Sequence, residues 1–257
     1  MKEIQGLRVV ITGASAGIGA ALARQLTAED AQAVLVARRE GALREVAGRC
    51  GGRALPIVAD VTRRDEVQRV VRESIARLGH VDVWVNNVGR GISRLPSELR
   101  DDDVDDMIRA NVKSALYGMQ EILPHFRERG RGQVINVSSM LGRVPVATVR
   151  SAYNGAKHFL DALTANFRDE LRQTAPGIEV TLVSPGVVRT DFGLNALHGG
   201  QDSRELPNSQ SADEVAAVIV WAMRTGKPDV YTRPGARQRV IDYFSRVGED
   251  PDPGTGG

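Results

Sequence analysis

Only one cysteine, Cys50, occurs in the 257 residues, so no internal disulfide can form and a reducing compartment, the cytoplasm, is expected. A lone cysteine of this kind reads as a small packing residue. An excess of one charge sign is also missing. The 34 basic and 32 acidic side chains leave a net charge of +2, which gives no footing for nucleic acid or for the capture of acidic substrates. No apolar run reaches the roughly 20 residues of a membrane-spanning helix. Met1, Lys2 and Glu3 lead into a strand-like segment without a secretory core, so a soluble, intracellular chain is expected. Repeats, low-complexity tracts and linkers are absent too, except at 249–257, which is rich in Gly, Pro and Asp and reads as a disordered tail. One domain over 1–248 remains, and 42% hydrophobic content is enough to fill its core. No metal site is assigned.

What is present is an alternation. Leu7 to Thr12 is short and β-branched, and a glycine-rich turn follows, then Ala20 to Glu29 with helical composition. Strands are expected over 33–37, 54–59, 81–86, 133–138, 178–184 and about 229–232. Helices are expected over 40–50, 63–78, about 101–129, 151–174 and 211–225. Strands alternating with helices pair in parallel through right-handed crossovers. The expectation is a single-domain α/β fold of Rossmann type: a doubly wound parallel sheet of about seven strands flanked by helices.

Two stretches carry chemistry. Gly13-Ala-Ser-Ala-Gly-Ile-Gly19 follows the first strand directly, where a doubly wound sheet binds phosphates. Its glycines let the backbone approach a pyrophosphate, and the helix N-terminus supplies free N–H groups. Ser151-Ala-Tyr-Asn-Gly-Ala-Lys157 puts a phenol and an ammonium on one helix face, four positions apart. An ammonium beside Tyr153 would favour tyrosinate and make the pair a proton donor and acceptor near neutral pH.

With these and five further motifs the chain resembles the short-chain dehydrogenase/reductase family over nearly its whole length. The further motifs are Asp60-Val61, Asn86-Asn87-Val88-Gly89, Asn111, Ser138-Ser139, and Ser184-Pro185-Gly186 with Thr190. Two departures stand out: Val88 replaces the family's usual alanine, and the Ser139 to Tyr153 spacing is one residue longer than in many members. The resemblance implies Asn111, Ser139, Tyr153 and Lys157 as catalytic residues. Tyr153 would be the acid or base, Ser139 would orient the substrate oxygen, Lys157 would lower the tyrosine pKa and hold the nicotinamide ribose, and Asn111 would interrupt its helix and hold a water. Ser138 is not counted as catalytic.

The implied cofactor contacts are Gly13, Ser15, Ala16, Gly17, Ile18 and Gly19 at the phosphates and Asp60 and Val61 at the adenine. Asn87 belongs near the adjoining ribose, Val188 and Thr190 near the carboxamide and Lys157 at the nicotinamide ribose, with Gly89, Tyr153, Pro185 and Gly186 as further cofactor contacts. Asp60 would alternatively cap a helix. NAD-dependent relatives close the second strand with an acid, whereas here Ala37 is followed by Arg38 and Arg39. Guanidinium groups pair with phosphate, so NADP(H) is preferred and NAD(H) stays open, with Arg38 the first choice and Arg39 the second.

The resulting expectation is an NADP(H)-dependent oxidoreductase that interconverts a ketone or aldehyde and an alcohol. An NAD-dependent secondary-alcohol dehydrogenase and a non-catalytic nicotinamide-binding redox regulator are the alternatives. The segment 191–210, with Phe192, Leu194, Leu197, His198 and Leu206, reads as a substrate loop for a hydrophobic carbonyl or alcohol, His198 being incidental. At about 235–247 an extra C-terminal helix gathers Val240, Ile241, Phe244 and Val247 on one face, to cover the cleft, an interface or a membrane surface. A homodimer on the helices beginning near Asp101 and Ser151 is the family expectation, and the extra helix puts a tetramer in question.

Overall fold

In a computed structural model, which describes residues 1–248, the β-branched runs form the interior of a seven-stranded parallel sheet, ordered β3-β2-β1-β4-β5-β6-β7. The strands are β1 (Arg8–Thr12), β2 (Gln32–Ala37), β3 (Ala54–Val58), β4 (Val83–Asn86), β5 (Gly132–Val137), β6 (Ile178–Ser184) and β7 (Asp229–Tyr231). Between them run α1 (Gly17–Ala28), α2 (Glu40–Gly48), α3 (Arg64–Leu78), α4 (Asp101–Ile108), α5 (Ser114–Arg129), α6 (Ser151–Thr174) and α7 (Ala212–Thr225), and α8 (Ala236–Phe244) follows β7.

Alternation along the strands feeds two cores. Val9 and Ile11 of β1 pack with Leu22 and Leu26 of α1 and Ile219 and Met223 of α7. Val10 points to the opposite layer, with Val70 of α3, Ile122 and Phe126 of α5 and Leu171 of α6. Each such side chain contributes about 1.5–3 kcal/mol by leaving water. Because both faces are covered, the strands read as unbroken apolar runs. The order reverses between β1 and β4, so the turns after these strands diverge and open a crevice at the carboxyl end of the sheet.

Most observed boundaries lie within two residues of expectation. Helix α2 stops at Gly48 instead of Cys50, because Gly51 and Gly52 take φ of 59° and 79° and turn the chain toward β3. Cys50 is buried and donates its thiol to the Val46 carbonyl at 3.3 Å. The long helix expected from Asp101 to Arg129 is interrupted by a π-helical turn, Arg109–Lys113.

The C-terminal helix needs a correction. It runs only from Ala236 to Phe244, and its expected apolar face is divided: Val240 is half-buried, Ile241 and Phe244 are 47% and 54% exposed, and Val247 lies beyond the helix at the cleft. Gly235, at φ 73°, starts the helix so that Ala236 is buried and Arg239, Asp242 and Tyr243 face the crevice. The tail assigned to 249–257 lies outside the described residues. Among the described residues no helix is long and apolar enough to cross a membrane.

Candidate active site

The crevice is a cleft of about 1710 Å³. Drug-sized ligands fill about 300–1,000 Å³. The space is therefore larger than the pocket of a single drug-sized ligand.

At one end lies the glycine turn. Gly13 and Gly17 adopt φ of 69° and 54°, where a side chain is strained. Helix α1 begins at Gly17, behind an extended Ala16 that offers no side-chain cap, and has no acidic residue in its first turn. Its leading N–H groups therefore point into the cleft without a protein acceptor, and the positive dipole end favours an anion. Gly19 and Asn111, assigned to the site from the sequence, do not line the cleft. A Cβ on Gly19 would stand 2.5 Å from the Gly13 carbonyl and 2.8 Å from Asn87 Nδ2, so its part is close packing behind the turn. Asn87 ties this turn to β4, its side chain donating to the Thr12 and Gly13 carbonyls at 3.2 Å each. A Cβ on Gly17 would meet Thr190 at 3.1 Å, which brings the turn after β6, with Pro185, Gly186, Val188 and Thr190, against the glycine turn.

Arg38 and Arg39 leave β2 into the same cleft. Arg38 is 70% exposed and lies 3.9 Å from Asp60, while Arg39 donates to the Ser15 hydroxyl at 3.3 Å. Arg39, the second choice from sequence, is thus the one bonded to the phosphate turn. Asp60 does not cap α3, whose first turn follows Arg63. It closes a turn by accepting from the Thr62 amide at 3.0 Å and hydroxyl at 2.8 Å, and Val61 is buried beside it.

At the other end are Ser139, Tyr153 and Lys157. Ser139 leaves β5 in extended backbone and accepts from the Leu141 amide at 3.1 Å. Tyr153 and Lys157 stand one turn apart on α6, 6% and 2% exposed, with the ammonium 5.8 Å from the phenol ring centre. Lys157 Nζ donates to the Val137 carbonyl at 3.0 Å. The structure corrects the expected electrostatics. Burial pushes Tyr153 up to about 12, although Ser139 and Arg150 pull the other way. Burial also pushes Lys157 down to about 8 against the attraction of Asp161. Desolvation is the largest cause of both shifts, so the phenol is protonated at neutral pH.

Asn111 is fully buried in the π turn. It accepts from the Arg90 amide at 3.0 Å and donates to the Arg90 and Met107 carbonyls at 3.0 Å each. Bonding back to the i−4 carbonyl displaces the backbone N–H and widens the helix. Its Oδ1 is 3.1 Å from a Cβ built on Gly89, and Lys157 Nζ is 3.6 Å from the same point, so Gly89 leaves both groups room.

The sequence reading missed the support behind Ser139. Asp161, one turn beyond Lys157, accepts from the Ser138 hydroxyl and lies 3.1 Å from Arg143 Nε without hydrogen-bond alignment. Arg143 instead donates to Ser184 Oγ at 3.1 Å and to Asp229 at 2.5 Å. The i+4 spacing from Lys157 was the available signal. His198 is also not incidental. At φ 62° it turns away from the cleft and meets Asp103 Oδ1 at 2.6 Å, which holds that carboxylate down to about 2. Of the loop's apolar residues, Phe192 and Leu206 line the cleft, Phe192 edge-on to Tyr153 at 5.6 Å. Leu197 packs beside Ile92, and Leu194 is 49% exposed. His158 bonds to the Asn154 carbonyl and does not line the cleft. Val88 lines the cleft and packs against the apolar layer beneath.

The sequence profile of the short chain dehydrogenase family matches residues 8–198. An uncharacterized oxidoreductase of Staphylococcus epidermidis is 32% identical over 234 residues, covering 91% of this chain and all of that protein. One from Staphylococcus saprophyticus is 33% identical, covering 87% and 92%. Among solved structures, a short-chain dehydrogenase from Streptomyces avermitilis superposes with TM-score 0.82 at 30% identity, covering 94% of each chain. A Burkholderia phymatum short chain dehydrogenase/reductase in complex with NAD reaches 0.87 at 22% identity, covering 98% and 99%. A 3-ketoacyl-(acyl-carrier-protein) reductase from Brucella melitensis complexed with NADH reaches 0.78 at 25%, covering 89% and 96%. With its parallel sheet, its cleft at the strand reversal and these matches, the chain belongs to the short chain dehydrogenase family of oxidoreductases.

Proposed function

We propose that this chain reduces a ketone or aldehyde to an alcohol with NADPH, Tyr153 acting as the proton donor. The observation that carries the reading is the phenol itself: buried and held at about 12, next to Ser139 and Lys157 in the cleft that begins at the glycine turn. A group that is protonated at neutral pH is in the form an acid needs. A bound reduced nicotinamide supplies the hydride. Charge then develops on the carbonyl oxygen, where the Ser139 hydroxyl orients it and the Tyr153 hydroxyl delivers the proton. Lys157, beside Gly89 and under the Val137 carbonyl, holds positive charge next to the phenol as it loses its proton. Phe192 against the Tyr153 ring keeps water from the reacting face.

The phosphorylated cofactor fits the end of β2. Position 37 is alanine, and the two guanidinium groups that follow flank Ser15 and Asp60, where a 2′-phosphate would lie. The NAD and NADH of the two solved relatives favour a second reading, an NAD-linked alcohol dehydrogenase.

Fluorescence titration with NADPH and NADH on the wild type, Arg38→Ala and Arg39→Ala separates them. At least tenfold tighter NADPH binding, about 1.4 kcal/mol, lost in either variant, is the expected result. Equal or tighter NADH binding turns the choice to the dehydrogenase.

A further inference from the structure

The cleft is much more positive than the chain around it. Nine arginines and Lys157 line it against four aspartates, a surplus of six charges, whereas the whole sequence carries +2. Most of these arginines have an occupation. Arg38 and Arg39 lie at the adenosine end, and Arg90 and Arg109 share Asp106. Arg233, whose Nε is buried without an acceptor, packs against Gly186 and donates to the Val187 carbonyl at 3.0 Å.

Arg150 is different. It is half-buried three residues before Tyr153, close enough to act on the phenol, and among the described residues no carboxylate acts on it. Among the described residues its one acceptor is the Ile92 carbonyl, at 3.0 Å. A guanidinium has five N–H donors, so among the described residues most of this fork has no acceptor. Its two terminal nitrogens reach between two glycines. A Cβ on Gly91 would stand 2.8 Å from one, and a Cβ on Gly200 would stand 3.0 Å from the other. Phe192 stands at the same place, 3.0 Å from the Gly91 Cβ position, and Val146 and Leu206 are further apolar residues of the cleft lining. Burying a guanidinium without an anion is costly, and its planar fork matches a carboxylate.

We propose that Arg150 receives a carboxylate on the carbonyl substrate, so that the preferred substrate is an oxo acid with an apolar body rather than a neutral ketone. This rests on the carbonyl-reductase reading above for the reaction, but its test reads binding.

The probes are 2-oxopentanoate, 4-oxopentanoate and 4-formylbenzoate, each compared with its methyl ester. Calorimetric titration into the protein saturated with whichever oxidised nicotinamide it binds prevents turnover. At least one acid is expected to bind tenfold or more tightly than its ester. Arg150→Gln closes that gap, chiefly by weakening the acid, and Arg150→Lys retains part of it. If all three acids bind within about twofold of their esters, or if Arg150→Gln weakens acid and ester alike, Arg150 is only a loop staple and the inference falls. Turnover with the reduced cofactor is scored separately. Reduction of esters without a preference for acids leaves the reductase reading standing and removes this one. An Arg150-dependent gap without turnover does the reverse.

Discussion

Two glycines in helix interiors should respond to alanine with opposite signs. On propensity alone each substitution gains about 1 kcal/mol, since glycine loses more backbone freedom on folding. Gly155, on α6, is exposed with nothing within 4 Å of a built Cβ, so Gly155→Ala should realise most of that gain. At Gly118, on α5, the Cβ would stand 2.2 Å from Asn86 Oδ1 and 2.4 Å from Trp84 Nε1. These atoms cannot simply move aside. Trp84 Nε1 donates to Asn86 Oδ1 at 2.8 Å, Asn86 Nδ2 donates to Asn136 Oδ1 at 2.8 Å, and Asn136 Nδ2 donates to Thr164 Oγ1 at 2.9 Å, all buried. Overpacking costs about 1–3 kcal/mol, and each orphaned buried polar group adds about 1–3. Against the propensity gain, Gly118→Ala should lose roughly 2–4 kcal/mol net, or roughly 5–15 °C in Tm for a chain of this size. Thermal and urea unfolding followed by fluorescence would measure both variants. A Gly118→Ala protein as stable as the wild type would refute the placement of this relay. The adjoining Asn87 braces the glycine turn, so the same variant should also bind nicotinamide cofactor more weakly.

Three further outcomes follow from the site. Lys157 is pushed down to about 8, so between pH 8 and 10 the unfolded chain holds this proton more firmly than the folded one, and folding stability from this group rises with pH. In the cofactor-free protein Lys157→Met should therefore exceed the wild type in stability at pH 7 by a margin that shrinks toward pH 10; a margin flat in pH, measured by denaturant midpoint, would contradict the buried ammonium. Tyr153→Phe should lower carbonyl reduction by about 10²–10⁴-fold while NADPH titration stays within a few-fold of wild type, and a parallel loss of binding would reassign the residue to structure. His198→Ala removes the tie to Asp103 that anchors the substrate loop on α4, so limited proteolysis within 191–210 should accelerate and the KM for the carbonyl compound should rise more than kcat falls; unchanged cleavage would mean that backbone bonds, such as those of Leu197 to Gly91 and Ser93, suffice to hold the loop.

The legible parts of this chain are those where spacing within a few residues decides the structure. Alternating β-branched runs and helices dictate the parallel sheet, and a glycine turn directly after β1 lies at the strand reversal whatever else the chain does. Tyr153 and Lys157 share a helix face because they are four apart. What escaped depends on partners distant in sequence or on burial. His198 finds Asp103 across 95 positions, and Arg143 reaches Asp229 across 86. The face that α8 turns inward is set by Gly235 and the shape of the cleft, against the helix's own apolar periodicity. The direction of the Tyr153 shift escapes spacing for the same reason: four positions show a neighbouring charge but not the desolvation that sets the shift.

That desolvation runs through the whole centre. Tyr153 goes up to about 12, Lys157 down to about 8 and Asp161 up to about 6, each moved toward its uncharged form chiefly by burial. A region optimised for stability alone would hold apolar side chains here. Instead Asp161 serves two sides at once, attracting the Lys157 ammonium and accepting from Ser138, while Arg143 braces it from the Ser184 and Asp229 side. Ser138, the neighbour of Ser139, and Lys157, from different elements, are thereby referred to one carboxylate. Arg150 adds a half-buried cation with no counter-charge among the described residues. Such a cleft is held at a cost in folding free energy by the apolar layers on either face of the sheet. An anion placed beside Arg150 would offset part of that cost, so the arrangement favours a ligand whose charge complements the cleft.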